Sequence, residues 1–74
     1  MNQNTELKVF CNNLHNLRIK HNLSIAQMAK KIHTSPKSLK QIENGTIPKK
    51  VSSEIVFYIL KEFEIPPKEL FEQT

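Results

Sequence analysis

Residues 23–45 read LSIAQMAKKIHTSPKSLKQIENG, and this stretch decides the fold. Its first half predicts a helix over 25–32. Ser24 stands before it, where a hydroxyl accepts from one of the unpaired backbone N–H groups at a helix start. The second half predicts a helix over 36–44, capped by Thr34 or Ser35. Pro36 opens it, because the missing proline N–H costs nothing at the first helical position. Asn44-Gly45 closes it, since glycine accepts the left-handed backbone on which many helices end. Ile25, Met28, Ala29 and Ile32 recur at helical spacing, as do Leu39 and Ile42, so each helix has one apolar face. Helices this short do not persist alone in water, and both must dock on the rest of the chain.

The opposite face of the second helix carries Lys37, Ser38, Lys40 and Gln41. These side chains donate to phosphates and base edges. Two short helices joined by a tight turn, with that face outward, predict a helix-turn-helix that inserts its second helix into the DNA major groove.

The flanking sequence supplies the support. Residues 1–4 are polar and are expected to form a disordered tail. A helix over about 5–21 places Leu7, Phe10, Cys11, Leu14 and Leu17 on one face. Residues 46–51, TIPKKV, form a linker. A helix over 53–63, capped by Ser52 or Ser53, has Ile55, Val56, Ile59, Leu60 and Phe63 as its core face. Phe57 and Tyr58 widen that face beyond what a monomer needs. Ile65-Pro66-Pro67 breaks the chain before a final helix over 67–72, whose apolar edge is Leu70 and Phe71. Residues 5–74 are read as one all-α domain, because 74 residues leave no room for a second core.

Composition narrows the function. The lone cysteine, Cys11, cannot form an internal disulfide and fits a reducing, cytoplasmic setting. On its apolar stripe it reads as a small buried hydrophobe rather than a reactive thiol. No apolar run reaches membrane-spanning length, and the N-terminal residues lack a signal-peptide core, so no membrane partner is expected. Residues 18–50 contain Arg18, Lys20, Lys30, Lys31, Lys37, Lys40, Lys49 and Lys50 against Glu43 alone. Residues 51–74 reverse the balance, with Lys61 and Lys68 against Glu54, Glu62, Glu64, Glu69 and Glu72. Charge alone is as compatible with a solvated lysine-rich face as with a polyanion site. Centred on the two-helix unit, it favours nucleic acid. His15, His21 and His33 make no metal-ligand pattern and read as surface or turn residues. No cofactor is expected. No carboxylate pair, nucleophile–base set or glycine-rich phosphate loop is present, and Gly45 is the one glycine, which argues against an enzyme.

Leu23-Ser24, Met28-Ala29, Ile32, Thr34-Ser35, Leu39 and the run Gln41-Ile42-Glu43-Asn44-Gly45 resemble the phage repressor and Cro-type helix-turn-helix regulators with the lambda-repressor-like fold. Leu14, Leu17 and Arg18 upstream, and Ile65 and Glu69-Leu70-Phe71 downstream, extend the resemblance from about Leu7 to Phe71. The ending IENG is its most specific piece. The resemblance implies a compact five-helix domain. It also implies a sequence-specific DNA-binding transcriptional regulator, by default a repressor, that binds double-stranded DNA as a homodimer. Its half-sites would lie about 34 Å apart.

On that reading Lys37, Ser38 and Gln41 contact base edges, while Thr34, Ser35, Lys40, Lys49 and Lys50 hold phosphates. Arg18 and Glu43 form a structural ion pair between the first helix and the end of the recognition helix. Tyr58 and Phe71 belong to a dimer or partner surface. Three positions depart from the family pattern. Ile25 replaces a polar residue that contacts phosphate, His33 stands where glycine is usual in the turn, and Pro36 replaces a base-reading side chain. A non-glycine residue at position 33 is expected to adopt a left-handed backbone at a cost of about 1 kcal/mol. These departures, with Phe57 and Tyr58, motivate an alternative: an antirepressor-like module that binds another regulatory protein rather than DNA. The lysine-, asparagine- and isoleucine-leaning composition suits a low-GC bacterial or phage source.

Overall fold

The computed structural model of the chain describes residues 3–48 and 54–72. Within them are five helices and no strand: α1 (Gln3–Lys20), α2 (Ile25–Lys31), α3 (Pro36–Glu43), α4 (Glu54–Phe63) and α5 (Pro67–Phe71). α1 starts at Gln3, inside the stretch read as a tail. Polar residues at a helix start present no apolar repeat, so hydrophobic patterning cannot see that turn. Ser52 and Ser53, the expected caps of α4, lie outside the described residues.

Short local bonds set the starts of α2 and α3. Ser24 Oγ accepts from the Gln27 backbone N–H (3.1 Å), and Gln27 Oε1 accepts in return from the Ser24 N–H (2.9 Å). This reciprocal capping box satisfies two donors that the helix cannot. At α3 the cap is Ser35, whose Oγ accepts from the Ser38 N–H at 3.1 Å, with Pro36 as the first helical residue.

Four helices end on a left-handed residue, and only one of the four is glycine: Asn22 (φ 55°), His33 (φ 61°), Gly45 (φ 94°) and Glu64 (φ 50°). In each case the next N–H reaches back to a carbonyl five residues earlier. Leu23 bonds Arg18 O (3.1 Å), Thr34 bonds Ala29 O (2.9 Å), Thr46 bonds Gln41 O (2.9 Å) and Ile65 bonds Leu60 O (3.2 Å). This is the Schellman closure, which pairs carbonyls the helix leaves open. Leu23 and Ile65, the residues just past two of these closures, then pack on the core.

The helices bury a single core. α1 lies against α3 and α5, and α2 packs on α3 and touches α4. Leu14, Met28, Ile32, Leu39, Ile42, Ile59 and Leu70 are fully enclosed, with Phe10, Cys11, Ala29 and Ile55 beside them. Met28, Ala29 and Ile32 thus face Leu39 and Ile42 across the turn, which fixes how α3 sits on α2. One polar residue enters this core. Asn13 occupies a position on the apolar stripe of α1 and donates through Nδ2 to Leu70 O (2.8 Å) and Glu72 O (2.9 Å). It ties α1 to carbonyls at the end of α5 that the short helix cannot pair itself.

Candidate nucleic-acid interface

α3 is anchored on one side and open on the other. Leu39 and Ile42 are fully buried, while Lys37, Lys40 and Gln41 are exposed and Ser38 is half-buried. The structure therefore brings Lys37, Lys40 and Gln41 onto the solvent side of one helix, with Ser35 exposed and Thr34 half-buried at its start. Ser35 Oγ also donates to Ser38 Oγ at 2.9 Å. In that arrangement the Ser38 hydroxyl keeps its own hydrogen free to donate outward. Pro36 is exposed at the first turn and offers neither an N–H nor a polar side chain. Lys49 and Lys50 lie outside the described residues.

The orientation of α3 relative to α1 rests on a charged clamp. Arg18 Nε donates to Glu43 Oε2 (2.8 Å) and a terminal nitrogen donates to Oε1 (3.1 Å). The other terminal nitrogen donates to Leu23 O at 2.9 Å, so one guanidinium joins α1, the loop before α2 and the end of α3. His15 Nδ1 sits 2.5 Å from Glu43 Oε1 as the third member. The two core members of the clamp are withdrawn from water: side-chain exposure is 8% for Glu43 and 14% for Arg18. Burial on its own would push the Glu43 carboxyl up. The hydrogen bonds from Arg18 and His15, with the charge of each, outweigh that and hold it below its ordinary 4.5. Glu43 is thus an anion that accepts at both oxygens, a state that suits the guanidinium fork.

His21 and His33 are exposed, His33 in the turn and His15 half-buried, and each of the three has a partner. His15 reaches Glu43, His21 packs its ring on Phe63 (centroids 4.9 Å apart) and His33 stacks on Tyr58 (4.1 Å). A signal for His15 existed, since it stands three residues before Arg18 and shares its face of α1. Ile25 is half-buried and packs against the core. An apolar residue there extends the α2 face rather than presenting a sticky patch.

The aromatic residues sort differently from their sequence order. Tyr58 is half-buried, stacked on His33, with its hydroxyl donating to Glu54 Oε2 at 3.3 Å. Phe71 is 51% exposed and stacks on Phe10 (5.6 Å). The most exposed aromatic described is Phe57, at 63%. Elsewhere, an open cleft of about 260 Å³ runs between α1 and α5, lined by Asn13, Leu17, Lys20, Ile65 and Glu69 among others. No residue of α2 or α3 lines it. Among the described residues no group of three histidines, cysteines or carboxylates could hold a metal ion, and no helix is long and apolar enough to cross a membrane.

A buried α2–turn–α3 pair that offers a lysine- and glutamine-bearing helix to solvent defines a helix-turn-helix DNA-binding domain. The family comparison agrees: residues 12–74 match the helix-turn-helix domain model. The chain belongs to this family, of the Cro- and repressor-type, lambda-repressor-like kind. Domains of this kind are typically non-enzymatic. No curated protein and no solved structure gives a significant match.

Proposed function

We propose that the chain is a sequence-specific transcriptional regulator, a repressor, that places α3 in the DNA major groove and acts as a homodimer in the cytoplasm. The observation that carries this reading is the exposed row Lys37, Lys40 and Gln41 on a helix held by the Arg18–Glu43–His15 clamp. Clamping reduces the freedom that α3 must lose when it docks, which favours binding. Lys37 reads guanine O6 or N7, and Gln41 pairs with adenine N6 and N7. Ser38, donating outward, selects an acceptor edge. Thr34, Ser35, Lys40, Lys49 and Lys50 hold phosphates, together with the Lys37 N–H at the start of α3, where Pro36 has no N–H and Ser38 gives its own to Ser35 Oγ. Pro36 leaves base reading to fewer side chains, so specificity rests mainly on Lys37 and Gln41.

The test is selection from random-sequence duplex DNA at two salt concentrations, with Lys37→Ala and Gln41→Ala beside the parent. A two-fold symmetric site, relaxed at separate base pairs by each variant, supports the reading. A steep salt dependence accompanies it. Binding without a selected sequence, indifferent to both substitutions, rejects it in favour of a protein-binding role as an antirepressor. Phe57, exposed on α4, and Pro36, which brings no polar group to α3, favour that second reading.

A further inference from the structure

His33 stands in the turn between α2 and α3 with a left-handed backbone, φ 61°, a conformation that strains most side chains and that glycine adopts freely. From there its ring reaches α4. It lies on the Tyr58 ring with the centroids 4.1 Å apart and the planes 28° from parallel. Tyr58 is itself set in place: it is half-buried against the core, and its hydroxyl donates to Glu54 Oε2 at 3.3 Å. The stack offsets the strain of the turn, so its effect on net stability is small. What it changes is how firmly the turn is held.

That turn leads straight into the reading helix. Thr34 and Ser35 follow His33, and Pro36 opens α3. At the far end α3 is fixed through Glu43, to which Arg18 donates at 2.8 Å and 3.1 Å. Leu39 and Ile42 seat the middle of the helix in the core. A helix pinned at one end swings most at the other, and here the other end carries Lys37 and Ser38. The Ser35 cap bonds Ser38 and travels with the helix, so it cannot hold that end against the rest of the domain. The Thr34 N–H bonds Ala29 O at 2.9 Å and ties the turn to α2. The His33–Tyr58 stack adds a tie to α4.

The geometry points to His33 and Tyr58 as a positioning pair that holds the N-terminal end of α3 at the angle it needs on DNA. The inference rests on the DNA reading above and adds to it two residues that act through α3. Without the stack the turn has to be ordered as the complex forms, and every group ordered on binding costs affinity.

The experiment measures affinity for the duplex that the parent selects, with His33→Asn, Tyr58→Leu, the two combined, and Tyr58→Phe beside the parent. Circular dichroism melts establish that each variant is folded at the assay temperature. Asparagine tolerates left-handed backbone, so it removes the ring without giving the turn the freedom of glycine. His33→Asn and Tyr58→Leu each weaken binding by about three- to ten-fold. The combined variant is no weaker than the worse single one, because both remove the same contact. Tyr58→Phe, which keeps the ring face and loses only the hydroxyl, binds within about two-fold of the parent. In the free chain, NMR relaxation shows the Thr34 and Ser35 amides more mobile in His33→Asn than in the parent.

A loss in His33→Asn that Tyr58→Leu does not share would make His33 a direct DNA contact and overturn the proposal. Additive losses overturn it, as do a Tyr58→Phe variant as weak as Tyr58→Leu and amides of unchanged mobility. A parent that selects no sequence brings down the DNA reading and this inference with it. A parent that selects a site which the variants bind equally well overturns the inference alone.

Discussion

Arg18→Met is the sharpest test of the clamp. It removes a guanidinium that lies 2.8 Å and 3.1 Å from the two Glu43 oxygens and 2.9 Å from Leu23 O, while an aliphatic stem remains to fill the space. The Glu43 side chain is only 8% exposed, so water cannot replace what is lost. Breaking a fully buried pair costs about 3–5 kcal/mol. Residual exposure and the remaining His15 contact reduce this to about 2–3 kcal/mol here. At about 4–8 °C per kcal/mol for a domain of this size, Tm falls by about 10–20 °C.

The pH dependence carries a definite sign. The folded pKa of Glu43 lies below its unfolded value, so its contribution is complete above 4.5 and drains away as the pH falls through the folded value. The variant has less of this contribution to lose. The stability gap between parent and variant therefore narrows on acidification below about 4.5. Urea and thermal unfolding followed by circular dichroism, at neutral pH and through the acid range, measure both effects. A loss below about 0.5 kcal/mol at neutral pH, as expected of an exposed surface pair, would refute the reasoning. A gap that stays constant through the acid range would also do so.

Four further outcomes follow from local structure. Glu64→Gly, at φ 50° on an exposed residue, relieves a left-handed strain of about 1 kcal/mol and raises Tm by a few degrees. His33→Gly relieves a similar strain at φ 61° but loses the stack on Tyr58 at 4.1 Å, so thermal melts of the two variants should differ, with the second near the parent. Ser35→Ala removes the α3 cap and costs about 1 kcal/mol in urea titration, with a larger proportional loss of DNA affinity than of stability. Cys11 is 2% exposed and its thiol is pushed up by burial, so alkylation is expected only at the rate of global unfolding. Fast labelling under native conditions would contradict its place in the core.

What could be read from the chain was local or periodic. Ser24 and Gln27, Ser35-Pro36 and Asn44-Gly45 act on backbone within a few residues of themselves, so their chemistry is visible without a fold. The apolar spacings of Met28, Ile32, Leu39 and Ile42 mark the buried faces of α2 and α3, because burial follows period; the five-helix domain as a whole is what the resemblance implies. Resemblance rather than spacing brings Arg18 and Glu43 together, since 25 residues separate them. It offers nothing about His15, whose partner is 28 residues away, or Asn13, whose partners are 57 and 59 away. Asn22 and Glu64 adopt left-handed backbone without glycine to announce it. On α4, Phe57 and Tyr58 are neighbours with similar rings. Helical phase separates them: Ile55 and Ile59 turn to the core, which leaves Phe57 on the far side in water and Tyr58 on the flank, where it stacks on His33.

The most direct measurement is an NMR titration of the isotope-labelled chain with the duplex selected from the random pool. The prediction is that backbone signals from Thr34 through Gln41 and the Gln41 side-chain amide move on binding. A titration in which those signals stay still while the complex forms would show that α3 is not the reading helix.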